Sequence, residues 1–181
     1  MNIMVIAAHP NLKQSRANKA FTQELASHAS SNIYIRDLYQ TYPNWQIDVE
    51  KEQQLLLTHD RIVFQFPFYW YSSPPLLKKW FDDVFTYGWA FGTGGDHLKD
   101  KSFLVATTVG GPENGYRAGG DNWFTVDELL RPIQRTITRC NGVFLPAFVT
   151  YNADRGTDAY ISQEARRYAA YIQSELKVLV H

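Results

Sequence analysis

The segment Arg61-Ile-Val-Phe-Gln-Phe66 is short, β-branched and aromatic, the composition of a buried strand. Pro67 cannot donate to a sheet ladder and ends it. Ser73 followed by Pro74 then reads as a helix start, with a capping hydroxyl and proline at the first helical position. Leu76, Leu77, Trp80, Phe81, Val84 and Phe85 follow at helical spacing and make one wide apolar face. The joint between strand and helix, Pro67-Phe-Tyr-Trp-Tyr71, is filled with rings where a plain connection would use Gly, Ser or Asp. It lies just past a strand's carboxyl end, the place where α/β proteins bind ligands. The plainer alternative is a packed corner or a subunit contact.

Four more strand-like runs surround this unit. Ile3 to Ala8 is continuously apolar, as a central parallel strand covered on both faces should be. Asn32 to Arg36 alternates, Lys101 to Thr108 is the fourth strand, and Val143 to Thr150 the fifth, with Pro146 placing it at a sheet edge. Helices are expected from Ser15 as N-cap through Leu25, from Asp48 as cap through Leu57, from the Thr125–Glu128 capping box, and from about Asp158 to Leu176. Pro132 should truncate or kink the fourth of the five helices early, and Asn141-Gly142 should end it. Tyr39 to Asp48 reads as irregular. Alternating strands and helices, without repeats or linkers, predict one doubly wound parallel-sheet domain over residues 1–181, strand order 2-1-3-4-5, with helices on both faces.

The balance of 18 basic and 18 acidic residues gives no pull toward nucleic acid or an anionic membrane surface. No run approaches the roughly 18 apolar residues of a membrane span. The first ten residues, Met1 to Pro10, lack a charged leader and cleavage pattern and read as a first strand. The single Cys140 excludes an internal disulfide and suits a reducing cytoplasm. His28, His59 and His181 have no partners at metal-ligand spacing, so no metal is expected. Aromatic residues make up 15% of the chain, which points to a flat ligand, a large interface, or both.

In that strand order the carboxyl ends of the first, third and fourth strands meet on one edge and bring together His9 to Asn18, Pro67 to Trp70, and Thr108 to Gly111. Ser15 to Asn18 opens a helix after the first strand, and the free N–H groups there make an anion site to which Lys13 and Arg16 would add charge; an ordinary βα turn is the alternative. Thr108-Val-Gly-Gly111 ends the fourth strand, where glycines let a ligand approach backbone donors. The loop from Thr86 to Asp100 carries Tyr87, Trp89 and Phe91, which should cover a pocket or a neighbouring subunit. Gly92-Thr-Gly-Gly95 follows a helix rather than a strand, so it reads as a turn and not as a nucleotide loop.

Ala8-His-Pro with Ser15-Arg-Ala-Asn18, the run from Pro67 to Trp80, and Thr108-Val-Gly-Gly111 together resemble the flavodoxin-like NAD(P)H:quinone oxidoreductases. The resemblance extends to their short bacterial members, including ancillary subunits of glutathione-gated potassium-efflux systems. It implies bound FMN and NAD(P)H as co-substrate. His9, Ser15, Arg16, Ala17 and Asn18 would hold the phosphate and ribityl chain. Pro67, Phe68, Tyr69 and Trp70 would border the isoalloxazine, and Thr108, Val109, Gly110 and Gly111 would donate to its pyrimidine edge. Tyr116 matches a catalytic tyrosine of related reductases. Asn122 stands where those relatives carry a histidine, so a Tyr–His relay is not expected. The resemblance also implies a homodimer, with the Trp80 helix and the Tyr87/Trp89/Phe91 loop as its contact, and Trp89 and Phe91 stacking on a flat substrate.

Two functions follow from this resemblance. One is an enzyme passing a hydride from NAD(P)H through FMN to a quinone-like acceptor, with one slot serving both partners in ping-pong fashion. The other is a regulatory subunit in which flavin serves structure or sensing, held peripherally at the inner face of the membrane by a potassium-efflux protein. A flavodoxin-like electron carrier fits less well, because the chain has no acidic runs for docking.

Overall fold

The computed structural model describes residues 1–27 and 32–178; His28 and His181 lie outside them. Strands β1 (Ile3–Ala7), β2 (Ile33–Asp37), β3 (Arg61–Pro67), β4 (Ser102–Thr108), β5 (Val143–Phe144) and β6 (Phe148–Thr150) form one parallel sheet. Its order is β2-β1-β3-β4-β5, with β6 pairing on β4 beyond β5. Ala7 lies opposite both Asp37 and Gln65, and Pro67 opposite Thr108, so the carboxyl ends of β1, β3 and β4 share one edge. This is the predicted doubly wound arrangement.

The three inner strands are buried along their length because each is apolar on both faces, and period-two alternation splits them between two cores. Ile3, Val5 and Val63 face α1 (Ala17–Ser27) and α7 (Asp158–Gln173), where Phe21 and Tyr168 stack with ring centroids 4.9 Å apart. Met4, Ile62, Phe64 and Phe66 face the opposite core, into which α4 (Pro75–Val84) inserts Leu76, Leu77, Trp80, Phe81 and Val84. Each such side chain fully removed from water contributes about 1.5–3 kcal/mol. The helix α3 (Val49–Leu57) packs beside α4 and carries Glu52, which is completely buried. Glu52 accepts from Arg36 Nε at 2.6 Å, Tyr42 Oη at 2.7 Å and Trp80 Nε1 at 3.0 Å, so β2, α3 and α4 are joined through one carboxylate. Burial and the neighbouring carboxylate push the Tyr42 hydroxyl up to about 12.

Several element boundaries differ from expectation, each for a local reason. Ser73 does not cap α4. Pro74 precedes another proline, is thereby driven out of the helical region (φ −55°, ψ 147°), and serves as the cap itself, leaving Pro75 at the first helical position. The Tyr39 hydroxyl accepts from the Leu76 N–H in place of a serine cap. Tyr39 itself sits in a helical turn, α2 (Leu38–Thr41), opened by Asp37 accepting from the Gln40 N–H, where the sequence pattern predicts irregular chain. The fifth strand is split, because Pro146 cannot donate and pairing resumes only at Phe148. Pro146 does lie on the sheet edge.

Thr125 and Glu128 make both halves of the capping box of α5 (Val126–Leu129), and Pro132 restarts the chain as α6 (Arg131–Arg139). Asn141, at φ 58°, ends that helix. The last helix stops at Gln173, short of Leu176. Ser174 turns extended, and Arg61 donates to the Ile172 and Ser174 carbonyls at 2.5 and 2.9 Å, a cation closing the helix's negative end. No helix among the described residues is long and apolar enough to cross a membrane.

Candidate cofactor cleft

The shared strand edge holds a cleft of about 420 Å³, within the range of small-molecule sites. His9, Ser15, Asn18, Pro67, Tyr69 and Thr108 line it, as do Arg16 and Ala17, so loops from three separated parts of the chain meet there; Phe68, Trp70, Val109, Gly110 and Gly111 of the expected set are not among its lining residues. Asn11, Gln14, Ala153 and Asp154 also line it. The last two come from the loop after β6, which ends at the same edge. The Asn152 to Gly156 turn after an edge strand was the available signal for that fourth loop.

Ser15 Oγ accepts from the Asn18 N–H at 3.2 Å and starts α1 as a cap. The N–H groups of Arg16 and Ala17 have no partner among the described residues, so the positive end of the helix is open to the cleft. The two cations behave differently from expectation. Arg16 donates to the carbonyls of Asp154 and Gly156 and pairs with Asp158 at 2.8 Å, so its guanidinium ties α1 to the approach of α7. Lys13 borders a neighbouring recess instead of the cleft. His9 Nδ1 accepts from the Asn11 N–H at 2.9 Å, which leaves the imidazole neutral with its hydrogen on Nε2. Burial lowers the His9 pKa, opposed by Asp37. An anion bound here would meet backbone N–H donors rather than a free formal charge.

At the end of β3 the chain makes a tight two-residue turn. Tyr69 and Ser72 exchange backbone hydrogen bonds of 2.9 and 3.0 Å, and the central Trp70 and Tyr71 have φ of 46° and 62°. Hairpin turns with two positive φ angles ordinarily use Asn-Gly. Two aromatic residues there cost of order 1–3 kcal/mol each, strain that collects at functional positions. The turn leaves the Trp70 and Tyr71 N–H groups without a partner among the described residues. It also holds the Trp70 side chain 91% exposed, at the rim rather than in the wall of the cleft. Phe68 is half-buried against the core and meets Tyr71 edge-on.

Beyond β4, the N–H groups of Gly110 and Gly111 are likewise unpartnered among the described residues. Val109 is not a donor: it is buried, and its N–H is taken by the Thr150 carbonyl at 2.9 Å. A Cβ at Gly110 would lie 2.4 Å from Asp154 Oδ2, and one at Gly111 3.3 Å from the Tyr116 ring and 3.6 Å from Asn122 Nδ2. Tyr116 and Asn122 thus converge on Gly111, and Tyr71 Oη donates to Asn122 Oδ1 at 3.3 Å. Burial, with Tyr71 and Asp154 nearby, raises the Tyr116 pKa, so the phenol keeps its proton at neutral pH.

Trp89 and Phe91 do not reach this cleft. Ten residues of α4 carry the chain about 15 Å before their loop begins. Trp89 stacks on His97 (5.3 Å, 7°), and Phe91 lines a separate recess with Phe81, Phe85 and Cys140. Gly88, Gly92 and Gly94, all at positive φ, make the loop a series of turns. Trp80 itself is wholly buried, and the outer face of its helix carries the pairs Lys78–Asp82 and Lys79–Asp83.

The arrangement fits FMN. It has an open helix end for a phosphate, with the Arg16 and Ala17 N–H groups unpartnered among the described residues, and it lies at the shared ends of three parallel strands. The flavodoxin-like fold family matches residues 1–172. A Bacillus subtilis protein named as an uncharacterized NAD(P)H oxidoreductase, YdeQ, is 48% identical over 172 residues, covering 95% of this chain and 86% of that protein. The glutathione-regulated potassium-efflux system ancillary protein KefG of Pectobacterium atrosepticum is 40% identical over 174 residues, 96% of this chain and 94% of that one. The structure of general stress protein 14 of Treponema denticola, in complex with FMN, superposes with a TM-score of 0.91 at 38% identity, covering 95% of this chain and 98% of that chain. On its sheet order, its cleft and these matches, the chain belongs to the flavodoxin-like fold family.

Proposed function

We propose that this protein is an FMN-dependent NAD(P)H oxidoreductase that delivers two electrons to a quinone or similarly flat acceptor. The observation that carries this reading is one cleft at the ends of β1, β3 and β4, into which α1 opens with the Arg16 and Ala17 N–H groups unpartnered among the described residues. FMN, when bound, supplies the hydride chemistry. The open end of α1 and His9 Nε2–H would hold its phosphate. The Gly110 and Gly111 N–H groups would donate to the flavin's pyrimidine edge and stabilise negative charge there. Tyr116 keeps its proton and acts as a neutral donor, because Asn122 cannot titrate in a relay with it. One slot over the turn of Trp70 and Tyr71 serves reductant and acceptor in succession, which gives ping-pong kinetics. In a homodimer, the Trp89 and Phe91 loop would cover the site of the partner chain.

Purified protein incubated with FMN should turn yellow and oxidise NADH or NADPH in the presence of a simple benzoquinone, with parallel double-reciprocal plots. Protein that takes up FMN but reduces no quinone with either nucleotide would refute the enzyme.

The relative named as a potassium-efflux ancillary protein supports a second reading, a regulatory subunit bound peripherally to a membrane transporter. Potassium efflux measured in cells with and without this protein separates the two.

A further inference from the structure

Beneath the cleft, side chains from β3, α1 and β4 form one directed run of hydrogen bonds. Gln65 is 1% exposed and places Nε2 3.1 Å from the backbone carbonyl of Asn18 and 3.3 Å from Asn18 Oδ1. Asn18 Nδ2 donates to Thr108 Oγ1 at 3.1 Å. The direction of this run follows from the backbone. A carbonyl oxygen only accepts, so the Gln65 atom facing it must be the amide nitrogen. That nitrogen also faces Oδ1 of Asn18, which puts the Asn18 NH₂ on the Thr108 side and makes Thr108 Oγ1 the acceptor. Gln65 Oε1 is left buried with no partner among the described residues. The orientation is therefore imposed by the Asn18 carbonyl and not by the satisfaction of Gln65 itself.

Thr107 and Thr108 are adjacent but differ in what their hydroxyls do. Thr107 is fully buried and donates to the Phe66 carbonyl at 2.9 Å. Thr108 borders the cleft, has its acceptor side occupied by Asn18, and donates to nothing among the described residues. We propose that Gln65 is a positioning residue for the cofactor: it holds the Asn18 amide so that the Thr108 hydroxyl donates into the cleft, to an oxygen or nitrogen of the bound ligand. Without the Gln65 donor the Asn18 amide can turn over and accept from Thr108, and the hydroxyl hydrogen leaves the cleft. The inference rests on the FMN reading for the identity of the ligand, and on the geometry alone for the direction of the run.

The test is a double-mutant cycle read by FMN fluorescence quenching on apoprotein. Gln65→Met and Thr108→Val should each weaken FMN binding about five- to tenfold, the worth of one hydrogen bond. The double variant should be no weaker than either alone, and Thr108→Ser should bind like the parent. An unchanged affinity in Gln65→Met, or losses that multiply in the double variant, would overturn the proposal while leaving FMN binding intact. A parent protein that takes up no FMN would overturn both readings together. If Gln65→Met does not fold, the Asn18 side-chain amide resonances of labelled apoprotein decide. They should shift on Thr108→Val, and resonances that stay in place contradict the run.

Discussion

The Asp154 carboxylate lies over Gly110 so closely that a Cβ there would come within 2.4 Å of Oδ2. The loop after β6 and the loop after β4 are therefore fitted to each other through the absence of one methyl group. Gly110→Ala should push Asp154 toward the cleft and cover a rim donor. FMN affinity should fall about tenfold or more, with only a small change in the melting temperature of the apoprotein, by fluorescence titration and circular dichroism.

Strain in the turn of Trp70 and Tyr71 sets stability against function. Replacing the pair by Asn-Gly matches the two positive φ angles and should stabilise the apoprotein by about 1–2 kcal/mol in urea unfolding. The same change removes the rings at the slot and should raise KM for the acceptor severalfold. Trp70→Ala alone should weaken flavin or substrate binding without loss of fold.

Glu52 is the buried anion on which Arg36, Tyr42 and Trp80 all converge. Glu52→Gln leaves the Arg36 guanidinium buried without a counter-charge and should cost about 3–5 kcal/mol. Trp80→Phe keeps most of the ring but loses the indole donor, and should cost about 1–3 kcal/mol. Both are measured by equilibrium unfolding. Since Trp80 is wholly interior, its replacement should act on folding before it acts on any association of subunits.

The neutral form of His9 is favoured in the fold, so its folded pKa lies below the ordinary 6.5. Between that lowered value and 6.5 the unfolded chain binds more protons than the folded one, so stability rises with pH there. The contribution is present above about 6.5 and lost as pH falls through the folded pKa. Melting temperatures of apoprotein from about pH 5 to 7.5 should show this slope, and His9→Asn should flatten it.

The strands and most helices were legible in the chain because their signals are local. Continuous apolar runs specify inner parallel strands, and Asp48 and the Thr125–Glu128 box announce helix starts through bonds spanning three residues. Sheet order alone predicts that His9 to Asn18, Pro67 to Trp70, and Thr108 to Gly111 converge, and Pro67, Tyr69 and Thr108 do line the cleft with the first loop. Ser73 misled because a second proline overrode the cap, and α2 was missed because a single turn leaves almost no periodicity.

The direction of the Gln65, Asn18 and Thr108 run was beyond the sequence, as were the pairing of Arg16 with Asp158 and the absence of Trp89 and Phe91 from the cleft. The aromatic stretch after β3 reads in sequence as one ligand wall, of which only Pro67 and Tyr69 line the cleft. Only the folded chain divides it into a strained turn that bares its N–H groups and a helix whose Trp80 is locked to a buried carboxylate. Periodicity and capping act over a few residues and can be read along a chain. Hydrogen-bond direction and side-chain burial depend on which distant segments arrive opposite each other, and packing settles that.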